Sequence, residues 1–197
     1  MSYSTLQGVA RSSQVVKNSE FLGYAAPISS VEDALEFIAD VRLERPDATH
    51  VAWAYRIESQ YRFSDDGEPS GTAGAPIYRA LEGSGLDRVV VAVVRYYGGV
   101  NLGAGGLVRA YGGCAAETLR VAERVEVHPR VHITVRAPFE HASTVYRLLE
   151  GLDVTQRMDA FTEHGLQVRA QVLETDVDAL EVAVRDATRG QGSLKRE

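Results

Sequence analysis

The sequence predicts an α+β protein in two units, and three observations carry that reading. Val89-Val90-Val91-Ala92-Val93-Val94 is a continuous apolar run, as in a strand buried on both faces. Helical periodicity sits around it, over residues 31–45 and again after Gly103. Beyond His128-Pro129 the pattern changes to a short β-α-β-β-α succession, the order of the split βαβ, ferredoxin-like arrangement. The expected domains are therefore residues 1–128 and 129–197.

In the first unit, residues 13–28 read as two extended pieces broken at Lys17-Asn18-Ser19-Glu20. Ser29 or Ser30 offers a helix cap, with Glu32 and Asp33 in the first turn. Val31, Ala34, Leu35, Ile38 and Val41 keep helical spacing until Pro46 ends the helix. Thr49–Glu58 alternates as a strand, with His50 at its start. A helix over about 74–83 carries Pro76 in its first turn, where a missing N–H costs nothing. Ser70 or Thr72 is placed to cap it. The helix from Gly103 to about Glu123 packs through Leu107, Tyr111, Cys114 and Leu119, which makes Cys114 a core residue rather than a nucleophile. In the second unit the expected elements are a strand at 131–137 and a helix at 140–149. Two strands follow, 154–161 and 167–173, joined at Thr162-Glu163-His164-Gly165, then a helix from Val177 to about Thr188 capped by Thr175 or Asp176. The segment 190–197 reads as a tail or a short edge strand.

Composition narrows the function classes. The chain has 197 residues and a net charge of −6, with 13 basic against 16 acidic residues through Arg130 and 8 against 11 after it. A non-specific polyanion binder carries a basic excess, so no DNA partner is expected, and any nucleic-acid contact needs a local basic face. The single cysteine excludes an internal disulfide and leaves a thiolate zinc cluster without ligands. With no membrane-length apolar run and no signal-peptide pattern at its start, the expectation is a soluble, cytoplasmic protein with no membrane, metal or cofactor partner.

The candidate site lies where the glycines concentrate: 12 of 18 fall between Gly67 and Gly113. Glycine admits positive φ and close backbone approach, so glycine-dense loops beside charged residues make a shaped surface. One loop is Asp65-Asp66-Gly67-Glu68-Pro69-Ser70-Gly71-Thr72-Ala73-Gly74. The other, Arg95-Tyr96-Tyr97-Gly98-Gly99, leads to Gly103-Ala104-Gly105-Gly106 and Arg109. Neither has the spacing of a nucleotide-binding glycine motif, and no nucleophile–histidine–acid order is legible. Asp65, Asp66 and Glu68 could bind a divalent cation, but lack calcium-loop spacing. A lone His50 has no partner at metal-ligand spacing.

Four stretches carry a family resemblance: Lys17-x-Ser19-x-Phe21; Thr49-His50-x-x-Trp53-Ala54-Tyr55; Asp65 to Gly74 with Pro76; and Val93 to Tyr111 through Arg95-Tyr96-Tyr97-Gly98-Gly99, Gly103-x-Gly105-Gly106-Leu107 and Arg109. Together they resemble the YigZ/IMPACT family, with Tyr97 where a Phe is common. The resemblance implies a first domain similar to domain IV of elongation factor G, a ribosomal-protein-like βαβ fold with a left-handed crossover, and a second similar to domain V. It also implies regulation of translation. The leading expectation is a non-enzymatic regulator that binds RNA, the ribosome or a ribosome-associated protein. Its contact surface would be Arg95, Tyr96, Tyr97, Gly98, Gly99 and Arg109, with His50, Ser70 and Thr72 nearby. Arginines would meet phosphate or carboxylate and tyrosines would stack. Two alternatives stand beside it: a metal-dependent hydrolase or phosphoryl-handling enzyme at Asp65–Glu68, and a pure protein-interaction module.

Overall fold

A computed structural model describes residues 2–197 and divides them into two compact units, one spanning Tyr3–Val127 and the other His128–Glu197 together with Ser2. In the first unit, β1 (Tyr3–Leu6) pairs with β7 (Arg124–Val127), and the other strands build a five-stranded sheet. These are β2 (Ala10–Val16), β3 (Ser19–Pro27), β4 (His50–Ile57), β5 (Gln60–Ser64) and β6 (Val89–Tyr96), in the order β2-β3-β6-β4-β5. Every pairing in it is antiparallel. β3 and β4 therefore run the same way on either side of the central strand β6.

Helices cover both faces. Helix α1 (Val31–Glu44) packs Ala34, Ile38 and Val41 on one side, against Tyr24, Trp53, Val90, Ala92 and Val94. On the other side α2 (Gly74–Gly83) and α3 (Gly103–Val121) bury Ile77, Leu81, Leu107, Tyr111 and Leu119 against Phe21, Ala52, Val89, Val91 and Val93. Alternate residues of β6 thus belong to different cores. That is why the run 89–94 is apolar without alternation although its neighbours are antiparallel.

Local chemistry sets the ends. Ser30 and Asp33 form a reciprocal capping box at the start of α1. The break at 17–18 is a two-residue hairpin turn with Lys17 at φ 46° and Asn18 at φ 68°. Neither Ser70 nor Thr72 caps α2. Its first residues are served by Asp65, whose carboxylate accepts from the Ala73 and Gly74 amides at 3.0 and 2.8 Å, and from Gly71 at 2.8 Å. Three strands, β1, β5 and β7, were not expected from the sequence.

The second unit has β8 (Arg130–Ala137), α4 (Ala142–Glu150), β9 (Thr155–Thr162), β10 (Gly165–Leu173), α5 (Val177–Ala187) and β11 (Ser193–Arg196). Its sheet order is β11-β8-β10-β9, all antiparallel, which completes the ferredoxin-like split βαβ with the C-terminal segment as an edge strand. Both helices pack on one face, through Val145, Leu149, Leu180 and Val184. Asp176 stands at the N-cap of α5, but no side chain caps that helix, because a 3₁₀ turn at Glu174–Asp176 precedes it.

Candidate functional site: a cleft over a buried ion pair

The chain from Ser64 to Gly74 folds back over the end of β6. Asp65 and Glu68 close a tight turn through the Glu68 amide and the Asp65 carbonyl, with Asp66 at φ 49° and Gly67 at φ 84°. This turn drives the Glu68 side chain inward, where it is 4% exposed. One of its oxygens, Oε1, accepts from Arg95 Nη1 at 2.6 Å and from the Tyr111 hydroxyl at 2.7 Å. Burial and that hydroxyl bond to Glu68 push the Tyr111 phenol far above its ordinary pKa, so it stays a donor.

Arg95 leaves the carboxyl end of β6 and is only 6% exposed. Its guanidinium lies over the rings of Phe21 and Tyr97, 5.6 and 5.4 Å from their centroids. Nη2 donates to Ser19 Oγ, which also accepts from the Gly98 amide. Ser19 is therefore no simple turn residue: it ties the hairpin β2–β3 to the second glycine loop. Gly98 has to be glycine at that junction, since a Cβ there would stand 2.1 Å from the backbone of Asn18.

Above this pair opens a cleft of about 520 Å³ lined by His50, Glu68, Arg95, Tyr97, Asn101, Leu102, Gly103 and neighbours. His50 donates from Nδ1 to the Asp66 carbonyl at 2.8 Å, because a carbonyl only accepts. That fixes the ring, with Nε2 3.9 Å from Glu68 Oε1. Tyr97 is half exposed and holds Asn101 through its hydroxyl at 3.2 Å.

The sequence-derived candidates separate into groups. His50, Arg95 and Tyr97 share the cleft, and Gly98 and Gly99 shape its loop. Tyr96 points to the opposite face of the sheet and donates to Asp47 at 3.1 Å. Arg109 does not join Arg95: it is exposed and lines a neighbouring groove with Gln14, Lys17, Leu102 and Gly106. Ser70 is exposed outside the cleft, and Thr72 is buried, donating to the Pro69 carbonyl. Sequence reasoning missed Tyr111 and Ser19 as partners of the site, and took Glu68 for a possible metal ligand. A signal existed: an arginine ending a strand buried on both faces requires a buried acid.

The three carboxylates of the acidic loop diverge. Asp65 caps α2. Asp66 takes both guanidinium nitrogens of Arg42, at 2.7 and 3.1 Å, and the Val51 amide. For both, burial raises the pKa, but these hydrogen bonds outweigh it and hold the carboxyls below their ordinary range. With Glu68 turned to Arg95, each of the three carboxylates is held by a different set of partners. Among the described residues, no group of three or more potential ligands is arranged to hold a metal ion.

Against known proteins, the Impact N-terminal domain matches residues 17–119. A Thermus thermophilus protein described as an IMPACT family member in the pol 5′ region is 56% identical over 153 residues, 78% of this chain and 83% of the relative. The chain belongs to the IMPACT family. The family likeness extends past the first unit: the Bacillus subtilis IMPACT family member YvyE is 30% identical across 98% of this chain and 90% of its own. A crystal structure of a hypothetical protein superposes with a TM-score of 0.71 at 32% identity, covering 98% of this chain and 96% of that one.

Proposed function

We propose that this IMPACT family member is a non-enzymatic regulator of translation that works in the cytoplasm and binds the ribosome by contacting RNA. Its surface is the second glycine loop and the groove beside it. The observation that supports this reading is the division of labour at the site. Of the acid–base groups in the cleft, Glu68 is bonded to Arg95 and to the hydroxyl of the buried Tyr111, and the His50 ring is fixed by the Asp66 carbonyl with Nε2 3.9 Å from Glu68. What faces outward is Tyr97, the backbone of Gly98–Gly99, and the exposed cations Lys17 and Arg109, which line one groove together with Leu102. Such a set holds a partner rather than transforms one: a ring for stacking, close-approach backbone, and cations for phosphate. Arg95 supports this surface from beneath, by fixing Tyr97 and the Gly98 junction. The family's link to regulation of translation supports the choice of the ribosome as partner.

Co-sedimentation with ribosomes over a salt series tests the reading. Pelleting at low salt that falls steeply as salt rises is expected, because phosphate contacts release counterions. Binding indifferent to salt would replace RNA by a protein partner. Absence of pelleting at the lowest salt would overturn ribosome binding altogether.

A further inference from the structure

At the far edge of the five-stranded sheet, β5 places Tyr61 and Phe63 on the face shared with α2, and both remain exposed, at 56% and 39%. Tyr78 of α2 lies between them: its ring is 4.4 Å from Tyr61 and 6.1 Å from Phe63, with interplanar angles of 20° and 27°. The three rings form a ladder open at both ends. Arginines surround it. Arg56 stands opposite Tyr61 in the strand register, Arg79 follows Tyr78 on α2, and Arg62 lies over Trp53 on the other face of the edge. Among the described residues none of the three is in an ion pair. Arg56 and Arg79 bond only to the backbone carbonyls of Glu58 and Ala75. Of the nearby acids, Glu58 is held by Arg88 and Glu82 accepts from the Tyr78 hydroxyl. A chain of net charge −6 thus keeps a locally basic, aromatic edge.

We propose that this edge is a docking surface for single-stranded RNA, distinct from the glycine-loop surface. Unstacked bases extend the ring ladder at Tyr61 and Phe63, and the backbone phosphates run past Arg56, Arg79 and Arg62. A duplex is a poorer fit, since its bases are already stacked. A second copy of this chain is disfavoured, because a two-fold contact would bring the same arginines face to face. The choice of RNA over DNA rests on the translational reading; the edge itself does not.

The test is fluorescence anisotropy with a labelled 12-nucleotide single-stranded RNA and its DNA counterpart. Four proteins are compared: wild type, Tyr61→Leu/Phe63→Leu, Arg56→Ala/Arg79→Ala, and Lys17→Ala/Arg109→Ala. The leucine pair keeps apolar area and removes the rings, and thermal melts confirm folding of each variant. Stacking predicts at least about fivefold weaker binding for each ring lost. The Arg56/Arg79 variant should reduce the salt slope by about 1.4, the value for two phosphate contacts on a single strand. Unchanged affinity in the leucine pair, or no binding by the wild type at low salt, would overturn the proposal. Loss confined to the Lys17/Arg109 variant would overturn the edge while sparing the glycine-loop surface. Equal affinity for the DNA strand would overturn the choice of RNA. Concentration-dependent dimerisation abolished by the leucine pair, without RNA binding, would assign the edge to contact between copies.

Discussion

Replacing Arg95 by methionine is the most informative perturbation of the site's foundation. The ion pair with Glu68 is almost fully removed from water, at 6% and 4% exposure, so taking away the cation strands a buried carboxylate whose remaining donor is the Tyr111 hydroxyl. Breaking such a pair costs about 3–5 kcal/mol, mainly the desolvation of the charge left behind. The two ring contacts and the Ser19 bond are lost with it, while the methionine chain recovers part of the packing between Phe21 and Tyr97. For a unit of this size, that corresponds to a fall in melting temperature of roughly 10–20 °C. Glu68→Gln, which strands the guanidinium instead, should cost a similar amount. In the double variant neither charge remains and the amide still accepts from Tyr111, so the loss should be well below the sum of the singles, with a coupling of about 2–3 kcal/mol. Urea unfolding of the four proteins of this cycle measures it. Additive single effects, or a cost below about 1 kcal/mol for Arg95→Met, would refute a buried, mutually dependent pair.

Other consequences follow from the same geometry. Asp65 and Asp66 have depressed carboxyl pKa values, so their stabilising contribution is fully present above the ordinary carboxylate value of about 3.9 and is lost as pH falls through their lower folded values. Asp65→Asn and Asp66→Asn should therefore flatten the acid limb of a stability–pH curve. Asp65→Ala also uncaps α2 and should cost about 1–2 kcal/mol at neutral pH, read by chemical denaturation. Gly98→Ala drives a Cβ into the Asn18 backbone and should lose about 1–3 kcal/mol in a thermal melt. The Cys114 thiol is buried and pushed up to about 11 by burial, so it should react with a thiol reagent only as fast as the protein opens. Rapid labelling of the native protein would place it at the surface.

Much of the fold was legible because period and capping chemistry agree along the chain. α1 begins at its Ser30–Asp33 box and stops before Pro46. The β-α-β-β-α order fixed the second unit, and its edge strand β11 follows once β8 has an open side. β1, β5 and β7 escaped notice for a physical reason. Each is a short edge strand, and β5 is exposed almost throughout, so burial imposes no alternation on its sequence. The site was only partly legible. The glycine loops marked the place, because close approach and positive φ leave a residue-type signature. Charge partners leave a weaker one: the buried strand ahead of Arg95 calls for a buried acid without saying which, whereas Arg109 on α3 faces water. Which of Asp65, Asp66 and Glu68 turns inward depends on the φ-positive turn at Asp66–Gly67 and on Arg42 and Arg95, which arrive from distant segments.

The exposed cations separate partner binding from folding, since neither Lys17 nor Arg109 supports the core. The decisive measurement is co-sedimentation of Lys17→Ala/Arg109→Ala with ribosomes at the lowest salt at which the wild type pellets, on protein with an unchanged melting temperature. Loss of most pelleting in the variant is the predicted result. Pelleting equal to wild type would contradict the assignment of the glycine-loop surface as the contact.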